Sequence, residues 1–269
     1  MGHIAGAKEM IRVGRQARHP LESDFSAILR WFNYHEILLR FSIRHWRSAL
    51  LKFTAFELDL ENIPECALQF LFTRSSFSTH IPELLEHSHP VLRLVSEVFN
   101  TMLYASGPKY HSNEYQNQLE QLEFKLTNIK TDLYNAEMTA KQIINGLELF
   151  RLAGLVYLER AARNFSGKSL KLDQYTEDGF TILCKMDACP YPFPLFIFGC
   201  EAESEERRIS IMDLIVRTEQ QPHGRNFDEI SDMIERAWIQ QDLVKNGEIE
   251  YIRMLNLVFS IREPVPSVI

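Results

Sequence analysis

Apolar residues recur at helical spacing along most of this chain. Over residues 143–165, Ile143, Leu147, Phe150, Gly154, Leu158, Ala161 and Phe165 fall three or four positions apart and share one helix face. Leu149, Leu152 and Val156 form a second apolar stripe, leaving Asn145, Glu148, Glu159 and Arg163 as a narrow polar strip. A helix that is apolar over most of its circumference has to be enclosed by protein. This stretch is therefore expected to be the buried centre of the fold. Within the polar strip Glu159 precedes Arg163 by four residues, the favourable order for a surface ion pair.

The rest of the chain reads as helices that can do the enclosing. Residues 2–16 form a short candidate. Ser23 or Asp24 is placed to cap a helix running to about His45, with Phe25, Ile28, Leu29, Phe32, His35, Leu38, Leu39 and Ile43 on its inner face. Residues 46–64 show no clear period, and 64–72 and 82–87 are short helical candidates. Val91, Leu94, Val95, Val98, Met102 and Leu103 predict a helix over 91–104, broken at Gly107-Pro108. Tyr115, Leu119, Leu122, Leu126, Ile129 and Leu133 make a heptad seam of nearly three repeats. Such a seam serves a coiled coil between chains or a helix packed inside one domain, and its shortness favours the second.

Residues 168–192 carry the weakest pattern. The run 192–201 (PFPLFIFGCE) is apolar on every side. Pro194 suits a first helical turn, and no partner strand is in sight, so a buried helix is expected. Ser204 caps the next helix, whose first turn carries Glu205 and Glu206 toward the positive end of the helix dipole. Helices over 228–244 and 249–261 follow, and 264–269 is expected to be a loose tail. The sum is an all-α domain over 1–263, with roughly nine to eleven helices around a buried central one.

Composition narrows the function. The chain has 269 residues, 45% of them hydrophobic, and a net charge of −7. An acidic surface is a poor grip for a polyanion. No signal peptide and no run long enough for a bilayer is seen, so an intracellular, soluble protein is expected. Cys66, Cys184, Cys189 and Cys200 show no disulfide-framework spacing, which fits a reducing compartment.

Candidate chemistry is sparse. Arg12, Arg15 and Arg18 share one helical face, either an anion patch or a solvated basic surface; the acidic whole favours the latter. His35 lies on an apolar face, where a hydrogen-bonded core histidine is the simpler reading. His87 and His89 are the only close histidine pair but lack two further metal ligands. Cys184 and Cys189 are spaced too widely for a usual zinc half-site. Glu203, Glu205 and Glu206 adjoin Arg207 and Arg208 and read as a solvated helix start. No nucleophile elbow, phosphate-binding loop, dinucleotide fingerprint or H-E-x-x-H motif occurs.

Three stretches together resemble the fungal-specific transcription factor domain, the regulatory part of many fungal zinc binuclear-cluster regulators. HIAGAKEMIR from His3, with FNYHEILL from Phe32, is similar to that family's H-x-x-G-A and F-x-Y-H-D helices. FRLAGLVYLERA from Phe150 is similar to its central R-x-A-x-x-x-Y-L helix. PLFIFGCEAESEERR from Pro194 is similar to its W-P-L-F-I-A-G-C-E-A segment, with Phe193 in place of the tryptophan. Trp238 and the closing helix also fit. The zinc cluster needs six cysteines with close C-x2-C pairs, which these four do not form, and the helices that usually precede H-x-x-G-A have no counterpart before His3.

The resemblance thus implies a nuclear regulatory domain without its own DNA reader. Its partners would be proteins of the transcription machinery or a second copy, with a small-molecule effector as a further option. It implies no enzyme activity, no cofactor, no membrane, and no catalytic, metal or DNA-contacting residue. The alternative is a stand-alone helical protein of a fungal metabolic pathway that binds or transforms a small molecule.

Overall fold

The structure, a computed structural model, describes residues 34–35, 37–38, 40–42, 44–46, 90–129, 138–221, 227–244 and 250–260. Expectations for the residues between these, including Arg12, Arg15, Arg18, His87, His89, the seam's Leu133 and the tail, lie outside the described residues. Eight α-helices are complete: α1 (Pro90–Thr101), α2 (Asn113–Asn128), α3 (Met138–Tyr157), α4 (Leu170–Leu183), α5 (Pro192–Cys200), α6 (Glu205–Glu219), α7 (Asp228–Leu243) and α8 (Tyr251–Ser260). A π-helical turn, Leu158–Ala162, continues α3. The described residues between 34 and 46 are helical as well, and no strand occurs among the described residues. The all-α expectation holds.

α3 is the buried centre. It packs on α1, α2, α4 and α5, and the π turn adds contacts to α8. Leu149, Phe150, Leu152, Leu155, Val156 and Tyr157 are all fully buried. The apolar run 192–201 is helical, and every residue of α5 is buried, with proline in its first turn. It lies between α3 on one side and α7 on the other. The heptad residues Tyr115, Leu119, Leu122 and Leu126 are buried inside the domain, as a packed helix requires.

Three elements differ from the sequence pattern. Regular α-helix ends at Tyr157, where Arg163 N–H bonds the carbonyl of Leu158 at 3.0 Å and closes the wider π loop. Asn164 then turns the chain with φ 50°, so the stretch to Phe165 is not one helix. α2 stops at Asn128. The weakly patterned 168–192 region contains a full helix, α4, capped by Ser169 accepting from Leu172 N–H at 3.2 Å. Its buried face includes Thr176 and Gly179 beside Leu172, Phe180 and Leu183, so hydrophobic periodicity understates it. Glycine is required there: a Cβ on Gly179 would lie 2.2 Å from the Phe198 ring.

The N-terminal segment supplies the core's central ring. Phe41 is fully buried and meets Phe99 of α1, Tyr157 of α3, Phe193 of α5 and Phe259 of α8 at centroid distances of 5.4, 5.4, 5.1 and 5.4 Å. Most of these contacts are edge-to-face, the arrangement that favours aromatic quadrupoles, each adding about 0.5–1.5 kcal/mol beyond area burial.

Gly154 marks where α3 crosses α1. A Cβ there would come within 2.8 Å of Val95 Cγ2. Glycine inside a helix costs about 1 kcal/mol against alanine, and close approach of the two helices offsets that. Gly154→Leu is expected to overpack the crossing and destabilise the fold by about 1–3 kcal/mol. Urea unfolding of both proteins measures this, and an unchanged midpoint would show that the crossing has room.

Candidate functional site

Polar and charged side chains enclosed by this fold gather at three places. The first is at the end of α3. Arg160, in the π turn, and Glu201, at the C-terminus of α5, are both buried. Arg160 Nε and Nη2 donate to the two Glu201 carboxylate oxygens at 3.0 and 2.8 Å. Its remaining nitrogen, Nη1, donates to the carbonyls of Phe165 and Gly167 at 3.3 and 2.8 Å. Burial alone would lower the Arg160 pKa, but the Glu201 carboxylate outweighs it and raises it above the ordinary arginine value. The guanidinium thus has each nitrogen occupied. It ties the end of α3 to α5 and holds the chain that turns away through Asn164.

A second cluster flanks the first. Lys171 Nζ lies 2.6 Å from Glu123 and 2.7 Å from Glu159, and Arg163 lies 2.7 Å from Glu123 and also pairs with Glu159. Burial pushes the Glu123 carboxyl up, but hydrogen bonds from Lys171 and Arg163 leave it below its usual range. The expected surface pair of Glu159 and Arg163 is thereby corrected. Glu159 is only 8% exposed in its side chain, because α2 and α4 close over it and supply the extra charges.

The third is a polar node in the aromatic core. His45 Nδ1 lies 2.9 Å from Asn256 Oδ1, and Nε2 lies 2.8 Å from the Tyr157 hydroxyl. Burial holds the His45 pKa down at about 3, against the opposing pull of Asn256, with Arg44 adding to the lowering. A neutral ring donating from Nδ1 to Asn256 and accepting at Nε2 from Tyr157 satisfies these contacts. Burial likewise pushes the Tyr157 hydroxyl above its usual range.

The residues singled out from sequence do not converge. His35 is buried with its ring edge-on to Tyr34, a core histidine. Cys184 is exposed while Cys189 is buried, where desolvation raises its thiol to about 12. Glu203 pairs with Lys168 at 2.5 Å on the surface, and Ser204 caps α6 by accepting from Arg207 N–H at 3.4 Å. Among the described residues no group of three His, Cys, Asp or Glu could hold a metal ion. An open recess of about 700 Å³ lies beyond the π turn, lined by residues 164–168 and Glu250. A smaller groove of about 390 Å³ runs between α4 and α6. Sequence reasoning missed Arg160 and Glu201 as partners. The available signal was a charge of each sign at the end of a long apolar run, Arg160 after 152–158 and Glu201 after 192–200, since buried charges require partners.

Two outcomes follow. Breaking a buried ion pair strands the remaining charge, so Arg160→Met is expected to cost about 3–5 kcal/mol. Arg160→Met with Glu201→Met should recover most of that loss in urea unfolding; equal losses in the single and double variants would show that the two side chains act separately. For His45, the fold favours the neutral ring, so the unfolded chain takes up the extra proton. Its contribution is full above the ordinary pKa of 6.5 and is lost as pH falls toward about 3. The stability gap between the wild type and His45→Gln should therefore narrow across that window, and a constant gap would show that His45 does not titrate there.

Comparison with known proteins places this architecture. The profile of the fungal specific transcription factor domain matches residues 1–257. A transcription factor, iacI of Pestalotiopsis fici, is 25% identical over 262 residues, covering 96% of this chain and 63% of that protein. This chain therefore spans less than two thirds of the length of that relative. No solved structure matches. Arg160 and Glu201 join the two stretches, 150–161 and 194–208, whose sequences resemble this family. With its profile matched over nearly the whole length, the chain belongs to the family of fungal specific transcription factor domains.

Proposed function

We propose that this chain is the regulatory module of a transcription regulator. It works in the nucleus through protein contacts or a small-molecule effector, without reading DNA and without catalysing a reaction. The observation that carries this is the combination of family membership with the placement of the shifted groups. His45, Tyr157, Cys189, Cys200 and Tyr251 are all closed off in the core, where no substrate reaches them. The family-like stretches around Phe150–Ala161 and Pro194–Cys200 are core contacts as well, which suits a scaffold that presents surfaces. Among the described residues no helix is long and apolar enough to cross a membrane.

Charge bears on DNA. Affinity for a duplex rests largely on neutralising phosphates with lysine and arginine. Here 29 basic residues face 36 acidic ones, and the long-range field repels a polyanion. This chain alone is expected to show no sequence preference in an anisotropy titration against a pool of random duplexes at near-physiological salt. Enrichment of a defined sequence at submicromolar protein would overturn that part of the reading. Retention of a nuclear reporter's activity after fusion to an unrelated DNA-binding module tests the regulatory part separately.

A further inference from the structure

We propose that Ser210 is a phosphorylation site for an arginine-directed serine/threonine kinase, and that Arg207 and Lys185 receive the resulting phosphate. The local sequence is Arg207-Arg208-Ile209-Ser210-Ile211. It puts arginines three and two residues before the serine and an apolar residue after it. Kinases of this class recognise that pattern by meeting the arginines with carboxylates, which select guanidinium groups.

The structure leaves this stretch reachable. Ser210 is exposed, and from Glu205 to Ser210 no residue of α6 is buried; Ile211 is the first. Opening these first turns therefore sacrifices little apolar contact, the condition for cheap local unfolding. What holds them is polar. Arg207 pairs with Glu177 and lies 4.5 Å over the Phe180 ring. Arg208 donates to both Asp242 oxygens at 2.8 Å and to the Ala202 carbonyl at 3.1 Å, over the Trp238 ring. Both carboxylates are largely exposed, so the two ion pairs are screened by salt. Glu177 and Asp242 thus compete with the kinase for the same arginines.

The phosphate has a place to go. Ser210 faces the groove between α4 and α6, which Arg207 and Lys185 also line, with Glu177 as the opposing carboxylate. In the transfer, Ser210 Oγ forms a bond to the γ-phosphorus of Mg-ATP. The bond from that phosphorus to the β,γ-bridging oxygen breaks, ADP leaves, and the hydroxyl proton passes to the kinase's catalytic aspartate. The product carries close to two negative charges at neutral pH and three strong acceptors. It displaces Glu177 from Arg207 and engages Lys185, so the Glu177–Arg207 link between α4 and α6 is exchanged for one that runs from Lys185, just past the end of α4, through the phosphate to Arg207. The assignment stands on this motif and groove and does not depend on the transcriptional reading.

The test uses the folded full chain with Mg-ATP and the catalytic subunit of a cAMP-dependent protein kinase. One phosphate, mapped to Ser210 and lost in Ser210→Ala, is expected. Glu177→Gln and Asp242→Asn should each speed incorporation by releasing an arginine. No label on the folded chain, whether or not a free 204–214 peptide is labelled, overturns the site, as does labelling unaffected by Ser210→Ala. Phosphorus NMR then reads the receiving groups. The phosphoserine should titrate below the value found in the free peptide, and return to it in Arg207→Gln with Lys185→Gln; an unshifted titration overturns the receiving role.

Discussion

Enclosing one helix on every side is the constraint from which this architecture follows. α3 has apolar residues around nearly its full circumference, so water must be kept from all of it. No single neighbour can do that. α1, α2, α4 and α5 each cover part, and the N-terminal segment reaches the same core through Phe41. Close crossings are needed to bring so many elements around one axis, and glycine supplies them at Gly154 and Gly179. α5 meets the same demand a second time, being buried throughout between α3 and α7.

Charges placed in such an interior decide how the pieces align. A buried ion pair adds little net stability over a well-packed apolar substitute, but leaving either charge unpaired is heavily penalised. Arg160 and Glu201 therefore act on alternatives to the native arrangement: a slip of α5 along α3 would strand both. The Lys171, Glu123, Glu159 and Arg163 cluster restrains α2 and α4 around the same turn in the same way. The three polar sites in and around the core thus specify position.

Much of the fold was legible in the sequence, and the physical reasons for the remainder are local. Apolar residues at helical spacing revealed α1, α2, α3 and α7, while continuous hydrophobicity with proline in the first turn revealed α5. α4 was obscured because its inner face uses Thr176 and Gly179, whose side chains carry little hydrophobic signal. The end of α3 was misjudged because the apolar pattern runs on through the π turn to Phe165, and hydrogen-bond slippage leaves no trace in periodicity. Glu159 read as a surface residue since its partners on α2 and α4 are remote in the chain. His45 was not singled out at all: nothing near it in sequence announces Tyr157 or Asn256. The candidate site was thus illegible for one common reason, that pairing across distance is invisible to local pattern.

The contact between His45 and Asn256 spans 211 positions, joining the first and last described helices. This is a non-local closure, and folding rates fall as contacts become less local. During synthesis the ring of Phe41 emerges long before Phe259 does, and until α8 arrives the aromatic surface it completes stays open to solvent. A nascent chain in that condition is prone to misassociation. The arrangement that closes the finished core therefore leaves it incomplete until its last described helix has been made.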